Sequence, residues 1–179
     1  MDRVKIVKAS VDDIHGIAKV HVDSWKETYK GIVSDSFLST LTYENREKQW
    51  KEAFEFHKNS DVWHMYVARN KAGEIIGFIR GGRSRDDKRS GEIYAVYLLR
   101  NCHGQGIGKS LMISSMQHLA RAGFETCQVC VLKENPALHF YKKLGAKDGV
   151  IKPITIGTQT LDEAVLSWNS LLDALISFG

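Results

Sequence analysis

The stretch from Glu92 to Lys109, EIYAVYLLRNCHGQGIGK, constrains the fold of this chain more than any other. An apolar, β-prone run from Ile93 to Leu99 breaks at the polar pair Arg100-Asn101. It then closes on His103-Gly104-Gln105-Gly106-Ile107-Gly108, ahead of a helical pattern. Strand, glycine loop, helix is the order that builds an anion site. Glycines let the backbone approach closely, successive N–H groups point at the anion, and the helix N-terminus adds partial positive charge. Two common phosphate loops can be tested against these letters. A P-loop needs GxxxxGK[ST]; Gly108-Lys109-Ser110 supplies its end, but its first glycine falls on His103. A dinucleotide fingerprint needs GxGxxG; Gly104 and Gly106 fit, but the third glycine falls on Lys109. Neither ATP nor NAD is the expected ligand.

The rest of the chain supplies a frame for that loop. Lys5 to Lys8 reads as a first strand. Ser10 and Asp13 form a near capping box before Ile14, Ile17, Ala18, His21, Trp25 and Tyr29, which recur at helical spacing up to Gly31. Further helices are expected over Ser34–Leu41 and Tyr43–Lys58, with Trp50, Phe54 and Lys58 on one face. Val62–Arg69 and Glu74–Arg80 read as a hairpin around Asn70-Lys71-Ala72-Gly73. Gly91–Leu99 is the central strand. Gly106–Ala122 is a helix whose core face is Leu111, Met112, Met116, Leu119 and Ala120, stopped by Gly123. Glu125–Leu132 is a strand, Asn135–Leu144 a short helix ended by Gly145, and Ala146–Trp168 two more strands. The apolar tail, Leu171–Phe178, is suited to capping the core or a partner surface. This order predicts an α/β fold: a central mixed, mostly antiparallel sheet flanked by helices.

The loop resembles the acetyl-CoA loop of the GNAT superfamily of N-acetyltransferases, Gln/Arg-x-x-Gly-x-Gly/Ala, over His103 to Gly108. His103 stands where that family usually has Gln or Arg; Gly106 and Gly108 are the glycines expected to allow backbone approach. A second match runs from Glu134 to Ala146. It resembles the family's late motif, an Asn-containing loop and a helix that carries Phe-Tyr and ends in Leu-Gly-Phe. Phe140-Tyr141 and Leu144-Gly145 match, Ala146 replaces the usual Phe, and the interval from Asn135 to Tyr141 is one residue shorter than usual. Ser24 to Gly31 is similar to the substrate-side helix of one bacterial branch of the superfamily. The element order is also that of the GNAT fold, so the resemblance covers most of the chain and implies one GNAT-like domain over residues 1–179.

The resemblance implies acetyl-CoA as acyl donor, no metal, and direct attack by a primary amine of a small molecule or peptide in a ternary complex. An amine such as lysine's, with a pKa near ~10.4, needs a base before it can attack. The developing oxyanion needs donors and the leaving thiolate a proton. Glu92, opening the central strand, matches in its interval to the loop the glutamate that serves as base in some members, acting directly or through water. Tyr94, two residues on, shares its face if the strand alternates regularly. Tyr141 takes the position of the proton donor to the CoA sulfur; His139, on another helix face, is expected at the surface. Backbone groups of Val96, Tyr97 and Leu98 are implied partners of the pantetheine arm. The pyrophosphate falls to His103, Gly104, Gln105, Gly106, Ile107, Gly108 and Lys109, with Asn135 and Lys143 completing the cofactor site. Trp25 and Tyr29, with Tyr94, either border the acceptor or pack in the core. A non-catalytic acyl-CoA sensor or scaffold with the same fold is the alternative; retention of Glu92 and Tyr141 favours the enzyme.

Composition agrees. Length, 179 residues with 43% hydrophobic and 26% charged, suits one soluble domain with a full core. The N-terminal stretch MDRVKIVKAS has no apolar core of a signal peptide and no run is long enough to span a bilayer, so a cytoplasmic location without a membrane partner is expected. A net charge of +4 is too small to argue for nucleic acid but suits an anionic cofactor. The mixed run Arg83 to Arg89 reads as a solvated loop. Cys127 and Cys130 make a CxxC on a strand, which puts them on opposite faces and points to structural rather than redox or zinc roles. A homodimer is left open, and the acceptor is not specified.

Overall fold

The computed structural model describes residues 4–179. Local signals set the helices. The Ser10 N–H donates to the Asp13 carboxylate (3.0 Å), and a short 3-10 turn over Val11–Asp13 leads into helix α1, Ile14–Thr28. Ser34 Oγ caps α2 (Asp35–Ser39), and Thr42 Oγ1 caps α3 (Tyr43–Phe56) by accepting from Asn45. Helix α3 ends before Lys58, which lies beyond it and pairs with Glu55. The expected three-residue face is therefore Trp50 and Phe54 alone.

The strands are β1 (Lys5–Lys8), β2 (His64–Arg69), β3 (Ile75–Arg83), β4 (Gly91–Leu98), β5 (Cys127–Leu132), β6 (Lys147–Ile156) and β7 (Gln159–Trp168). They form a seven-stranded sheet in the order β1-β2-β3-β4-β5-β7-β6. Every neighbouring pair is antiparallel except β4 and β5, which are parallel because helix α4 (Ile107–Arg121) crosses between them. Helix α5 (Ala137–Lys143) follows β5. The apolar tail forms α6, Leu171–Ser177, capped by Ser170, with Leu171 and Ala174 buried. One face of the sheet packs Val67 and Phe78 against Ile14 and Ile17 of α1 and Trp50 of α3. The other packs Ile79 and Ile93 against Leu111, Met112, Met116 and Leu119 of α4 and against α6. Ala120, expected in that face, is exposed, since it points to the solvent side of α4.

Two irregularities in β4 position the site. Its pairing with β5 stops after Gly91↔Cys127, Glu92↔Gln128 and Ile93↔Val129, so the sheet opens beyond Ile93. Its pairing with β3 skips a residue: Arg80 faces Ala95 and Gly81 faces Ile93, which leaves Tyr94 as a bulge. The bulge resets the alternation of β4. Ala95 and Tyr97 pack toward α1 and α3, while Ile93, Val96 and Leu98 pack toward α4. The extra residue falls after Ile93, and Tyr94 keeps to the face of Glu92, its ring against Arg80 and Arg85. On β5, Cys127 is buried and Cys130 half-buried on the opposite face; both are free thiols, and burial pushes Cys130 up to about 11. Such thiols are poor nucleophiles at neutral pH.

Candidate active site

Where β4 leaves β5, the chain turns through a 3-10 turn, Arg100–Cys102, into the glycine loop. The His103 ring staples the loop back to the strand, its Nε2 lying 2.9 Å from the Leu98 carbonyl oxygen. Gly104 (φ 76°) and Gly106 (φ 77°) are left-handed, a conformation that costs any other L-residue about 1–2 kcal/mol. Together they turn the backbone so that, among the described residues, no acceptor is paired with the N–H groups of Gly104, Gln105, Gly106, Ile107, Gly108 and Lys109. A row of free amides at the start of α4 is the donor set a diphosphate requires, and these residues fit the charged end of a CoA ester. Gly108 also serves packing. It lies inside α4 with ordinary φ, and a Cβ there would sit 3.2 Å from the Phe140 ring. Its missing side chain lets α5 dock on α4.

The open edge of β4 faces a wall of tyrosines. Tyr97 Oη accepts from Trp25 Nε1 (2.8 Å), and Trp25 is half-buried against the Tyr29 ring at 4.4 Å. Tyr29 is buried; its Oη accepts from Asn135 Nδ2 (3.0 Å), while Asn135 Oδ1 accepts from Ala137 N–H (2.9 Å) at the start of α5. Asn135 thus ties the late motif to the early helix. Tyr141 is 5% exposed, packed edge-on to Trp168, and its phenol is pushed up by burial and then by Tyr97. It stays protonated at neutral pH, as a proton donor must. Lys109 is half-buried at the loop, whereas Lys143 is exposed at the far end of α5; His139 is at the surface as expected.

On the side of the sheet facing α1 lies a group of carboxylates. Glu92 is only 1% exposed. Its Oε2 accepts from the Arg85 backbone N–H (2.9 Å), and its Oε1 accepts from Arg85 Nε (3.0 Å) and also from Nη2. Both oxygens are engaged, as an ion pair this buried requires. Arg85 also brings Tyr94 to the group, its guanidinium lying 5.4 Å from the ring centroid; the Tyr94 hydroxyl donates to the Arg83 carbonyl. Glu163 on β7 is half-buried, and burial raises its pKa; the charge of Glu92 raises it further, against the opposing pull of Lys152 and Arg85. Its charge also acts on Tyr29.

A profile of the Acetyltransferase (GNAT) family matches residues 23–146. The uncharacterized N-acetyltransferase YuaI of Bacillus subtilis is 33% identical over 170 residues, covering 94% of each chain. The chain belongs to the GNAT family of acetyltransferases. It is an N-acetyltransferase. A spermidine N(1)-acetyltransferase of Thermoplasma acidophilum is 26% identical over 147 residues, 80% of this chain and 88% of that one. In fold, the GNAT chain is similar to the PaiA N-acetyltransferase of the same organism in complex with coenzyme A, with a TM-score of 0.75 at 22% identity, covering 92% and 98%. Two residues of the candidate site, Arg85 and Glu163, carry no signal in the sequence. Arg85 lay in a run that looks solvated, and Glu163 in a hairpin without a motif. Only the fold, which folds the β3–β4 loop over Glu92 and sets β7 beside β5, brings them in. No helix among the described residues is long and apolar enough to cross a membrane.

Proposed function

We propose that the protein transfers an acetyl group from acetyl-CoA to a primary amine, with both bound at once across the opening between β4 and β5. The observation that carries this reading is the end of β4–β5 pairing at Ile93 beside the free amides of Gly104 to Lys109. When bound, acetyl-CoA supplies an acyl group activated as a thioester. The amides of Gly104 to Lys109 hold its diphosphate. The edge of β4 from Val96 through Tyr97 to Leu98, whose Leu98 carbonyl is already taken by His103, holds its amide arm through the groups that β5 leaves without partners. Asn135 keeps α5 against α1, and Lys109 and Lys143 add positive charge. The coenzyme A bound by the Thermoplasma neighbour supports the donor, and the spermidine relative supports an amine as acceptor.

Glu163 receives the proton of the acceptor ammonium at its carboxylate. Its raised proton affinity suits it to that task better than a carboxylate clamped at both oxygens. Glu92, held by Arg85, is then the positioning residue: its buried charge raises Glu163 and fixes Arg85 beside Tyr94. Tyr141 gives its proton, at Oη, to the departing sulfur and regains one from the proton the nitrogen sheds as the amide forms. Trp25, which donates to Tyr97, borders the acceptor.

The test joins calorimetric titration of acetyl-CoA to free-thiol release against an amine panel, as a function of pH. Activity rises with pH as Glu163 loses its proton. Glu163→Gln is expected to remove that acid limb and about 10²–10⁴-fold of kcat. Glu92→Gln is expected to move the limb to lower pH, because it removes the charge that raises Glu163. Tyr141→Phe lowers kcat with little change in acetyl-CoA affinity. If Glu163→Gln keeps the limb and Glu92→Gln loses it, Glu92 itself is the base. Tight binding with no thiol release from any amine would make the chain a CoA-binding module.

A further inference from the structure

The face of β3 and β4 that packs on α1 and α3 holds a set of polar groups that the acetyl transfer just described leaves unused. Arg80 on β3 lies two residues beyond Phe78 on the same face. Its guanidinium sits 5.2 Å from the Trp50 ring centroid and 5.0 Å from that of Tyr94, the bulge residue. His21 stacks on Tyr97 at 5.0 Å and meets Trp50 at 5.5 Å. Arg46, one turn before Trp50 on α3, is half-buried and donates to Gln49 Oε1 (2.5 Å). Both arginines act electrostatically on His21, which burial and these two charges hold neutral. Within this one cluster three buried polar atoms have no hydrogen-bond partner among the described residues: His21 Nδ1, Trp50 Nε1 and Arg80 Nε.

Charge is unbalanced in the same direction. Every carboxylate of the neighbouring group is engaged by a cation: Glu92 by Arg85, Asp86 by Lys152 (2.9 Å), and Glu163 by Lys152 at 4.0 Å. Neither Arg80 nor Arg46 has a carboxylate within ion-pair distance among the described residues; the field of Glu92 reaches Arg80, but its oxygens are bound to Arg85. Stacking on aromatic faces recovers only part of what a buried guanidinium loses on leaving water. Unpaired guanidinium, indole N–H and imidazole together form a donor set for an anion, and the planar fork of arginine matches a carboxylate.

We infer that Arg80, assisted by Arg46, binds a carboxylate on the acceptor, so that the amine acetylated is an amino acid or amino-acid analogue. The inference rests on the amine-acetylation reading above and sharpens it. An acceptor carrying both charges fits the arrangement. Its ammonium turns toward Glu163 and Glu92, its carboxylate toward Arg80, and Tyr94 lies between the two ends. A polyamine would bring a second ammonium against two guanidinium groups that have no carboxylate partner among the described residues.

The test compares free amino acids with their matched C-terminal amides, and with spermidine, in thiol-release assays. The wild type is expected to prefer the acid over its amide by roughly 10- to 100-fold in kcat/KM, mostly through KM, the size expected for hydrogen bonds to a charged group. Arg80→Gln is expected to collapse that ratio toward one, Arg80→Lys to keep part of it, and Arg46→Gln to reduce it less than Arg80→Gln. Because the readout is a ratio within each variant, loss of folded protein does not imitate it. Equal use of acids and amides, preference for spermidine, or a ratio that survives Arg80→Gln overturns the inference while leaving the transferase reading intact. If acetyl-CoA binds and no acceptor releases thiol, the transferase reading falls instead. The carboxylate site is then judged by tryptophan fluorescence with acid and amide titrated against the acetyl-CoA complex. A response to the acid alone, lost in Arg80→Gln, supports the site, and an equal or absent response to both overturns it.

Discussion

Gly106 shows how one residue can serve stability and binding separately. Its φ of 77° is needed to start α4 and to present the loop amides, and a Cβ there would meet no atom within 4 Å. Backbone strain is therefore the whole cost of Gly106→Ala to the free protein, about 1–2 kcal/mol. Gly123, with φ 88° and equally open surroundings at the other end of α4, supplies the matching control. Both alanine variants are expected to lose similar stability in urea unfolding. Only Gly106→Ala is expected to weaken acetyl-CoA binding, by about tenfold or more in calorimetry, because relieving the strain turns amides away from the diphosphate. Equal affinity in the two variants would mean that the loop does not hold the cofactor.

Helix α4 meets strand β2 through a buried polar contact. His64 is fully buried. Its Nδ1 lies 2.9 Å from the Val62 carbonyl oxygen, which can only accept, so Nδ1 carries the proton and Nε2 accepts from Ser115 Oγ at 2.5 Å. Burial pushes the imidazole down to about 4 from 6.5, with His118 adding to the shift and the Val62 hydrogen bond opposing it. The unfolded chain therefore binds a proton that the folded chain does not, over the window from pH 6.5 to about 4. The stability conferred by neutral His64 is fully present above that window and is lost as pH falls through it. Replacing His64 with Gln is expected to shrink the difference in unfolding free energy between pH 7.5 and 4.5 by roughly 2 kcal/mol. An unchanged difference would show that the ring is charged or solvated in the folded protein. The same contact marks what a sequence conceals. Helix α4, β4 and the glycine loop were legible because their signals are local: periodicity, glycines and a motif. Ser115 with His64, and Arg85 with Glu92, are pairings across elements whose partners carry no pattern in the chain. The Tyr94 bulge is likewise invisible, since one extra residue in a strand leaves its composition unchanged and alters only its register.

The sheet as a whole is nearly two sheets. Strands β1 to β4 and strands β5 to β7 are joined by three residue pairs, Gly91↔Cys127 to Ile93↔Val129, and by α4, which spans the gap. A ligand seated in the opening would touch both halves, so its binding free energy becomes stability of the whole molecule. Acetyl-CoA at 100 times its Kd is expected to add about 2.7 kcal/mol. For a chain of this size that raises Tm by roughly 5–10 °C. ADP, which has a diphosphate but no amide arm, separates the loop from the opening. It is expected to slow hydrogen exchange at Gly104 to Lys109 while leaving Tyr94 to Leu98 as in the free protein, whereas acetyl-CoA slows both segments. Loop and strand protected together by ADP would mean that the two halves close on any ligand at the loop. Protection by acetyl-CoA confined to the loop would place its amide arm outside the opening and remove the basis for attack there. The expected pattern, a loop that recognises charge and an edge that recognises the arm, follows from the two irregularities of β4: pairing that ends at Ile93 and a register that skips Tyr94.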